Sequence, residues 1–202
     1  NPFSQVTVSD VDPEDLLDVT VTLNSGDANG VLSEDSFTKV DGEYHLTSVT
    51  PQEAQDALNN LIFTPTINQI VVGQTNQTNM TIEIDDGELG ITDGFTTVIA
   101  TSINDAPIAG NDLVTVDENS GTTDITIDVL NNDSDVDIDQ TAALIISSTD
   151  SSSTLGVVSL DGGVLTYNPN DQFENLAPGS TATDSFNYTI SDLNAETATA
   201  TI

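Results

Sequence analysis

The sequence predicts an all-β protein of two tandem Greek-key β-sandwich modules, the first of which carries one short helix. Its 202 residues are enough for two domains of about 100 residues each. Hydrophobic residues make up 36% of the chain and fall in short Val, Ile, Leu and Thr runs with alternating polarity, which is typical of half-buried strands. A polar tetrapeptide ending in proline separates two strand-rich halves. We therefore place the first module at residues 1–103, a linker at 104–107 and the second module at 108–202.

The first module is predicted as short strands separated by polar turns. Residues 17–23 alternate with period two, and a Gly/Asn/Asp-rich turn follows at 24–29. The chain opens almost directly into an alternating run with no signal peptide, so we expect it to begin inside a module whose first strand is truncated. Strands are expected at residues 3–8, 17–23, around 31, 44–46, 62–65, 80–84 and 95–103.

One helix is predicted in the first module. Thr50 is followed by Pro51 and then by Glu53, which is the pattern of a capping box with proline at the first helical position. Apolar residues then recur at helical spacing, namely Ala54, Ala57, Leu58 and Leu61.

The second module repeats this organisation without obvious sequence identity to the first. Seven short strands with regularly spaced turns favour a Greek-key sandwich. A long polar loop at residues 168–184 precedes the last two strands, which form a hairpin around residues 191–194. The seven strands are expected at residues 113–116, 125–129, 144–148, 157–160, 164–167, 186–190 and 197–202.

The charge balance limits the possible partners. The chain has 34 acidic residues, one basic residue (Lys39) and a formal net charge of -33. Nucleic acid is excluded as a partner because phosphate recognition requires Lys and Arg, and anionic membrane surfaces are disfavoured for the same reason. No run reaches the length of a membrane span, so membrane insertion is not expected. The partners that this composition favours are cations.

The acidic residues concentrate in loops. Carboxylates about 4 Å apart repel by about 4 kcal/mol at an effective dielectric constant of 20, and these loops have no basic neighbour. Ca²⁺ relieves this repulsion because it takes six to eight oxygen ligands in flexible geometry, whereas Mg²⁺ requires stricter octahedral geometry. Transition metals are poorly supported, since the chain has one histidine, His45, and no cysteine. The alternative is a solvated acidic surface, as in a protein from a salt-loving organism.

Strand direction predicts where these loops meet. In a seven-strand sandwich, the loop after the second strand and the loop after the sixth lie at the same end as the N-terminus of the module. The second module would therefore gather its acidic loops beside the linker, and the first would gather its own towards an upstream neighbour, whereas Glu118 would face the downstream end. The predicted calcium ligands are Asn104, Asp105, Asp133, Asp135, Asp137 and Asp192, together with Asp10, Asp12, Asp85, Asp86 and Glu118.

This layout resembles the cadherin-like tandem repeats of giant bacterial RTX-type surface adhesins. Residues 104–107 resemble the linker between repeats, residues 117–119 (Asp-Glu-Asn) the early Glu-Asn motif, and residues 10–12 and 135–137 the Asp-x-Asp motif. Residues 57–65 and 128–135 are similar to the helix-to-strand and Asn-Asp-rich segments of these repeats. The resemblance covers nearly the whole chain and implies a long surface protein, exported by type I secretion and stiffened by calcium. The linker is shorter and has fewer acidic residues than in animal cadherins, which implies fewer ions at each junction.

Catalysis is not expected. With one histidine, one lysine and no cysteine, the chain cannot supply a Ser-His-Asp or Cys-His set. We therefore expect a non-enzymatic, calcium-rigidified extender or adhesion module at the bacterial cell surface, with neighbouring repeats of the same chain as partners. Two alternatives stay open. One is a calcium-dependent carbohydrate-binding module that binds a polysaccharide. The other is a module for homophilic or host-protein adhesion that binds another cell-surface adhesin.

Overall fold

Antiparallel strand pairing dominates the computed structural model, which describes residues 1–12, 14–33 and 36–202. The chain divides into two units, Asn1–Ser102 (unit 1) and Ile103–Ile202 (unit 2). The predicted all-β class is confirmed. No helix in the described ranges is both long and apolar enough to cross a membrane.

Unit 1 contains a five-stranded sheet of order β3-β4-β1-β6-β7 and a two-stranded sheet of β2 and β5. Along β1, residues Leu17, Val19, Val21 and Leu23 are buried and form one wall of the core. The elements are β1 Leu17–Leu23, β2 Gly30–Leu32, β3 Thr38–Val40, β4 Glu43–Val49, α1 Pro51–Asn60, β5 Phe63–Pro65, β6 Thr75–Asp85 and β7 Gly90–Thr101, with a 3₁₀ turn at Gly26–Asn29.

Helix α1 has the predicted cap. The Thr50 side chain accepts a hydrogen bond from the Glu53 backbone N–H, and the Glu53 carboxylate accepts one from the Thr50 backbone N–H. Pro51 occupies the first turn, where a missing N–H costs nothing. Ala54 and Leu58 are fully buried, so the apolar face of the helix completes the core of unit 1.

Unit 2 contains two three-stranded sheets, of order β10-β11-β8 and β13-β12-β9. Its core includes Val129, Leu165, Tyr188 and Ile190, each fully buried. The elements are β8 Thr123–Asp124, α2 Thr126–Leu130, β9 Ile145–Asp150, β10 Val157–Asp161, β11 Val164–Asn168, β12 Asn187–Ser191 and β13 Thr197–Thr201, with a 3₁₀ turn at Thr141–Ala143.

Three predicted strands are wrong. Residues 3–8 form no strand. The Val6 N–H bonds the Phe3 carbonyl in a turn, and Phe3 is buried against the core. Residues 125–129 lie mostly in α2, because the buried residues Ile125 and Val129 are four apart and share one face of a helical turn. Residues 113–116 are irregular and join no strand ladder among the described residues.

Candidate functional site

One end of unit 2 brings together the linker, the loop after α2 and the β12–β13 hairpin. The side-chain amide of Asn104 donates from Nδ2 to Asp192 Oδ2 at 2.7 Å. The backbone N–H of Asp105 donates to Asp137 Oδ2 at 2.8 Å. Three segments that are distant in sequence therefore meet through carboxylate and amide groups. We call Asn104, Asp105, Asp135, Asp137, Gln140 and Asp192 the linker-end cluster.

The loop after α2 is held in place by its own polar groups. Asp135 Oδ1 accepts the Asp137 backbone N–H at 2.8 Å, which is an Asx turn. The Thr141 hydroxyl accepts the Asp135 backbone N–H at 2.8 Å and donates to the Asp135 carbonyl at 2.9 Å. Ile108, just after the linker, exchanges two backbone hydrogen bonds with Ser134. The linker and this loop are thus fixed to each other at the backbone.

The hairpin between β12 and β13 presents Asp192. Its Oδ1 accepts the backbone N–H groups of Asn194 and Glu196, each at 2.9 Å. The residue is only 5% exposed, so its carboxylate is largely removed from water. These two bonds hold the Asp192 carboxylate with its Oδ2 within hydrogen-bond distance of the Asn104 side chain.

Gln140 is part of the cluster, and sequence reasoning missed it. It is 3% exposed, and its Nε2 donates to Asn104 Oδ1 at 2.8 Å and to Asn194 Oδ1 at 3.1 Å. Its Oε1 accepts the Leu193 backbone N–H at 3.1 Å. The amide thus ties the linker to the hairpin. Nothing local in the sequence separates this glutamine from a surface residue, since its partners come from residues 36 and 54 positions away.

Two carboxylate oxygens of the cluster are buried and have no hydrogen-bond partner among the described residues. They are Oδ1 of Asp137 and Oδ2 of Asp135, and Asp137 as a whole is only 4% exposed. A buried, unpaired polar group is costly, and an ionised one more so. Unit 2 has no lysine, arginine or histidine, and Lys39 pairs with Asp27 in unit 1. No cationic side chain of unit 2 can therefore neutralise these carboxylates.

The donor set suits a hard cation. Carboxylate and amide oxygens are the ligands that Ca²⁺ prefers, and its coordination geometry is flexible. Among the described residues, no three His, Cys, Asp or Glu side chains form a metal-binding group by themselves. An ion at the linker-end cluster would therefore combine carboxylates with amide or backbone oxygens and water.

Asp133, also predicted as a ligand, has other partners. It is 5% exposed, and its Oδ1 accepts the Gly110 backbone N–H at 2.8 Å. The Tyr188 hydroxyl lies 3.2 Å from both of its carboxylate oxygens. Asp112 lies close by, and burial raises the pKa of its carboxyl, with a further contribution from the charge of Asp133. We interpret Asp133 as a residue that organises the interior of unit 2.

The predicted ligands of unit 1 bond within their own loops in the part of the chain that the structure describes. Asp10 Oδ1 accepts the Asp12 backbone N–H at 2.8 Å, and Asp85 Oδ1 accepts the Gly87 backbone N–H at 2.7 Å. Hydrogen bonds from the backbone N–H groups of Leu89 and Glu88 lower the pKa of Asp86. No hydrogen bond of these ranges joins the Asp10–Asp12 loop to the Asp85–Asp86 loop.

Glu118, the remaining predicted ligand, lies in a turn after residues 113–117 of unit 2. It is half-buried on the wall of a groove of about 910 Å³. Asp117 and Asn119, its neighbours in the predicted motif, line the same groove.

The family comparison matches the unit that carries the cluster. Residues 104–202 match the family model described as the bacterial cadherin-like domain. Unit 2 is similar to this family over that range. The matched range begins at Asn104, so it contains the whole linker-end cluster.

The other comparisons add no argument. No curated protein matches the chain. Among solved structures, the chain is similar to the endo-fucoidan hydrolase MfFcnA4 from glycoside hydrolase family 107, at 19% identity and a TM-score of 0.26. A variant of the same enzyme matches at 19% identity and a TM-score of 0.24. Each match covers 94% of this chain but spans only 23% of the enzyme.

Proposed function

We propose that this chain is a calcium-stiffened extender segment of a large bacterial surface protein, and that Ca²⁺ binds at the linker-end cluster. The proposal rests on Asp137, which is 4% exposed and whose Oδ1, like Oδ2 of Asp135, is buried without a hydrogen-bond partner among the described residues. A dication supplies the charge that no side chain of unit 2 can supply.

The mechanical role follows from which segments the ion would join. Asn104 and Asp105 precede the sandwich, whereas Asp137 and Asp192 belong to its loops. A cation shared by these groups would hold the linker against the end of the cadherin-like unit. The chain that enters unit 2 would then have a fixed direction instead of a free hinge.

A surface location suits this chemistry. Extracellular calcium modules typically bind with Kd values of about 10⁻⁴ to 10⁻³ M, so such a site is loaded outside a cell and empty in the cytosol. We propose neighbouring repeats of the same chain as the partners, and an architectural, non-catalytic role. Secretion in a loose, calcium-free form followed by folding outside the cell is consistent with this.

Thermal unfolding of the whole chain with calcium and with EGTA tests the proposal. A single site that binds only the folded state adds about 2.7 kcal/mol of stability at one hundred times its Kd. We expect the unfolding transition of unit 2 to rise by several degrees in millimolar Ca²⁺. Equal unfolding midpoints in Ca²⁺ and EGTA would contradict the proposal.

A pair of variants locates the ion. Asp137→Asn removes one of the buried charges of the cluster and should abolish most of the calcium-dependent shift. Asp139→Asn is the matched control, because it removes one charge from the same loop at an exposed residue whose φ of 65° asparagine also tolerates. We expect Asp139→Asn to keep the full shift, and an equal loss in both variants would indicate general charge repulsion instead of a site.

A further inference from the structure

Gln140 closes a ring of hydrogen bonds at the linker end of unit 2. Its Oε1 accepts the Leu193 backbone N–H at 3.1 Å, and its Nε2 donates to Asn104 Oδ1 at 2.8 Å. Asn104 Nδ2 in turn donates to Asp192 Oδ2 at 2.7 Å. Asp192 and Leu193 are consecutive residues, so the bonds return to the hairpin from which they started. We call these three bonds the amide relay.

The direction of every bond in the amide relay is fixed from both ends. A backbone N–H can only donate, so Leu193 requires Gln140 to present its oxygen there and its NH₂ group to Asn104. An ionised carboxylate can only accept, so Asp192 requires Asn104 to present its NH₂ group there and its oxygen to Gln140. The two requirements agree, because the side chains at positions 104 and 140 are both amides.

A carboxylate cannot take the place of the Gln140 amide in the relay. Gln140 is 3% exposed, so its polar atoms depend on protein partners instead of water. Its Nε2 also donates to Asn194 Oδ1 at 3.1 Å, so one NH₂ group serves two amide oxygens. Glutamate at this position would place a carboxylate oxygen against both of these oxygens with no proton between them, which is costly in a buried site. The relay therefore disfavours the residue that simple attraction of a cation would favour.

The relay holds the residue that precedes a donor to Asp137. Asp105 follows Asn104, and its backbone N–H donates to Asp137 Oδ2 at 2.8 Å. The other oxygen of that carboxylate, Oδ1, is buried and has no hydrogen-bond partner among the described residues. Fixing the Asn104 side chain to the hairpin therefore restrains the N–H group that orients the Asp137 carboxylate.

We propose that Gln140 is a positioning residue of the linker-end cluster, and that its neutral amide raises the calcium affinity of the cluster by holding Asn104 and, through Asp105, the Asp137 carboxylate. This inference rests on the calcium site of the proposed function. Replacing a group that orients metal ligands typically lowers metal affinity by about 10–100-fold. Exchanging the Gln140 amide for a carboxylate therefore weakens calcium binding, although it makes the cluster more negative.

Calorimetric titration of the full chain with Ca²⁺ at constant ionic strength separates positioning from charge. Gln140→Glu adds one carboxylate to the cluster, and the control Val136→Glu adds one in the same loop, at a residue that is 50% exposed and outside the relay. We expect Gln140→Glu to weaken calcium binding at least about tenfold and Val136→Glu to bind at least as tightly as the parent. Equal or tighter binding by Gln140→Glu would overturn the proposal. If the parent itself binds no calcium, the proposed calcium site is wrong, and that failure is distinct from this one.

An exchange of charge across the relay tests the same proposal without altering Gln140. Asn104→Asp places a second carboxylate against Asp192, and adding Asp192→Asn restores a donor between the two side chains at the net charge of the parent. We expect Asn104→Asp to bind calcium about tenfold more weakly than the parent, and the double variant to return to within about threefold of it. Urea denaturation in EGTA identifies any variant whose unit 2 is unfolded. A folded double variant that binds calcium no better than Asn104→Asp would overturn the proposal.

Discussion

At the scale of single residues, Tyr188 is the polar centre of unit 2. Its hydroxyl lies 2.9 Å from the Gly110 carbonyl, 3.1 Å from the Val129 carbonyl and 3.2 Å from the Asp133 carboxylate oxygens. Burial raises its pKa well above the ordinary value, so the phenol is a neutral donor at neutral pH. It lies against the Asp133 carboxylate, which is 5% exposed and for which the Gly110 N–H is the only other donor among the described residues.

Two tyrosine variants compare the Asp133 carboxylate with the Asp184 carboxylate, which accepts more backbone hydrogen bonds. We expect Tyr188→Phe to destabilise unit 2 by about 1–3 kcal/mol, because it leaves the buried Asp133 carboxylate under-satisfied. Tyr167→Phe should cost less, about 0.5–1.5 kcal/mol, because Asp184 keeps the backbone N–H groups of Leu155, Gly156 and Ser185. Urea denaturation of both variants gives the two losses, and a larger loss for Tyr167→Phe would contradict this interpretation.

Asp184 makes part of the stability depend on pH. Burial by itself would raise the pKa of its carboxyl, but hydrogen bonds from Gly156, Leu155, Tyr167 and Ser185 outweigh burial and lower it. A carboxyl with a lowered folded-state pKa stabilises the fold above its unfolded-state pKa of 3.8, and this contribution is lost as the pH falls through the folded-state pKa.

Replacing the Asp184 carboxylate should make the free energy of unfolding fall less steeply as the pH decreases. We expect Asp184→Asn to be less stable than the parent at pH 7 and to lose less further stability between pH 5 and about pH 2. Urea denaturation in EGTA across that range measures it without interference from calcium. Asp161→Asn, at an exposed residue at the end of β10, is the control and should follow the parent curve. If the free energy of unfolding of Asp184→Asn falls as steeply with pH as that of the parent, the pH dependence does not come from Asp184.

The individual residues of the linker-end cluster were predictable to different degrees. The expected loop order of a Greek-key sandwich indicated that Asn104 and Asp105 would meet the loops of Asp137 and Asp192. Two of the strands on which that argument relied, residues 113–116 and 125–129, are not strands in the structure. Gln140 was not predictable, since its role depends on partners brought near only by the tertiary fold. Whether the cluster binds a metal stays a prediction.

At the scale of elements, α1 is the clearest case in which local chemistry determines structure. We expect Thr50→Ala to destabilise unit 1 by about 1 kcal/mol, because the Glu53 backbone N–H loses its acceptor. A double-mutant cycle with Glu53→Ala should show that the two losses are not additive, since the two side chains share one capping box. Strict additivity in chemical denaturation would show that the residues act separately.

The elements that the sequence failed to predict share a cause. In residues 125–129 the apolar residues fit both a period of two and an i, i+4 pair, so a five-residue run could not decide between strand and helix. Residues 113–116 have a strand pattern but join no ladder in the described part of the chain, because pairing depends on a neighbouring strand. By contrast, residues 17–23 were predicted correctly because their alternation is long and one face is fully buried.

At the scale of the whole molecule, the net charge of -33 is the dominant electrostatic feature. Such a charge destabilises the compact state through self-repulsion, and any salt relieves part of this by screening. A specific ion site acts in addition to screening and only where its ligands lie. The two effects can therefore be separated by comparing salts at equal ionic strength.

We expect NaCl and MgCl₂ to raise the stability of both units modestly and CaCl₂ to give unit 2 an additional gain. Hydrogen exchange should show calcium-specific protection at residues 104–105, 135–140 and 192–196, where carboxylates and amides converge. Residues 85–90 of unit 1 should respond alike to all three salts, because the Asp85 and Asp86 carboxylates already accept backbone N–H groups of their own turn. Calcium-specific protection of residues 85–90 without any at 135–140 would place the ion in unit 1 and reverse this assignment.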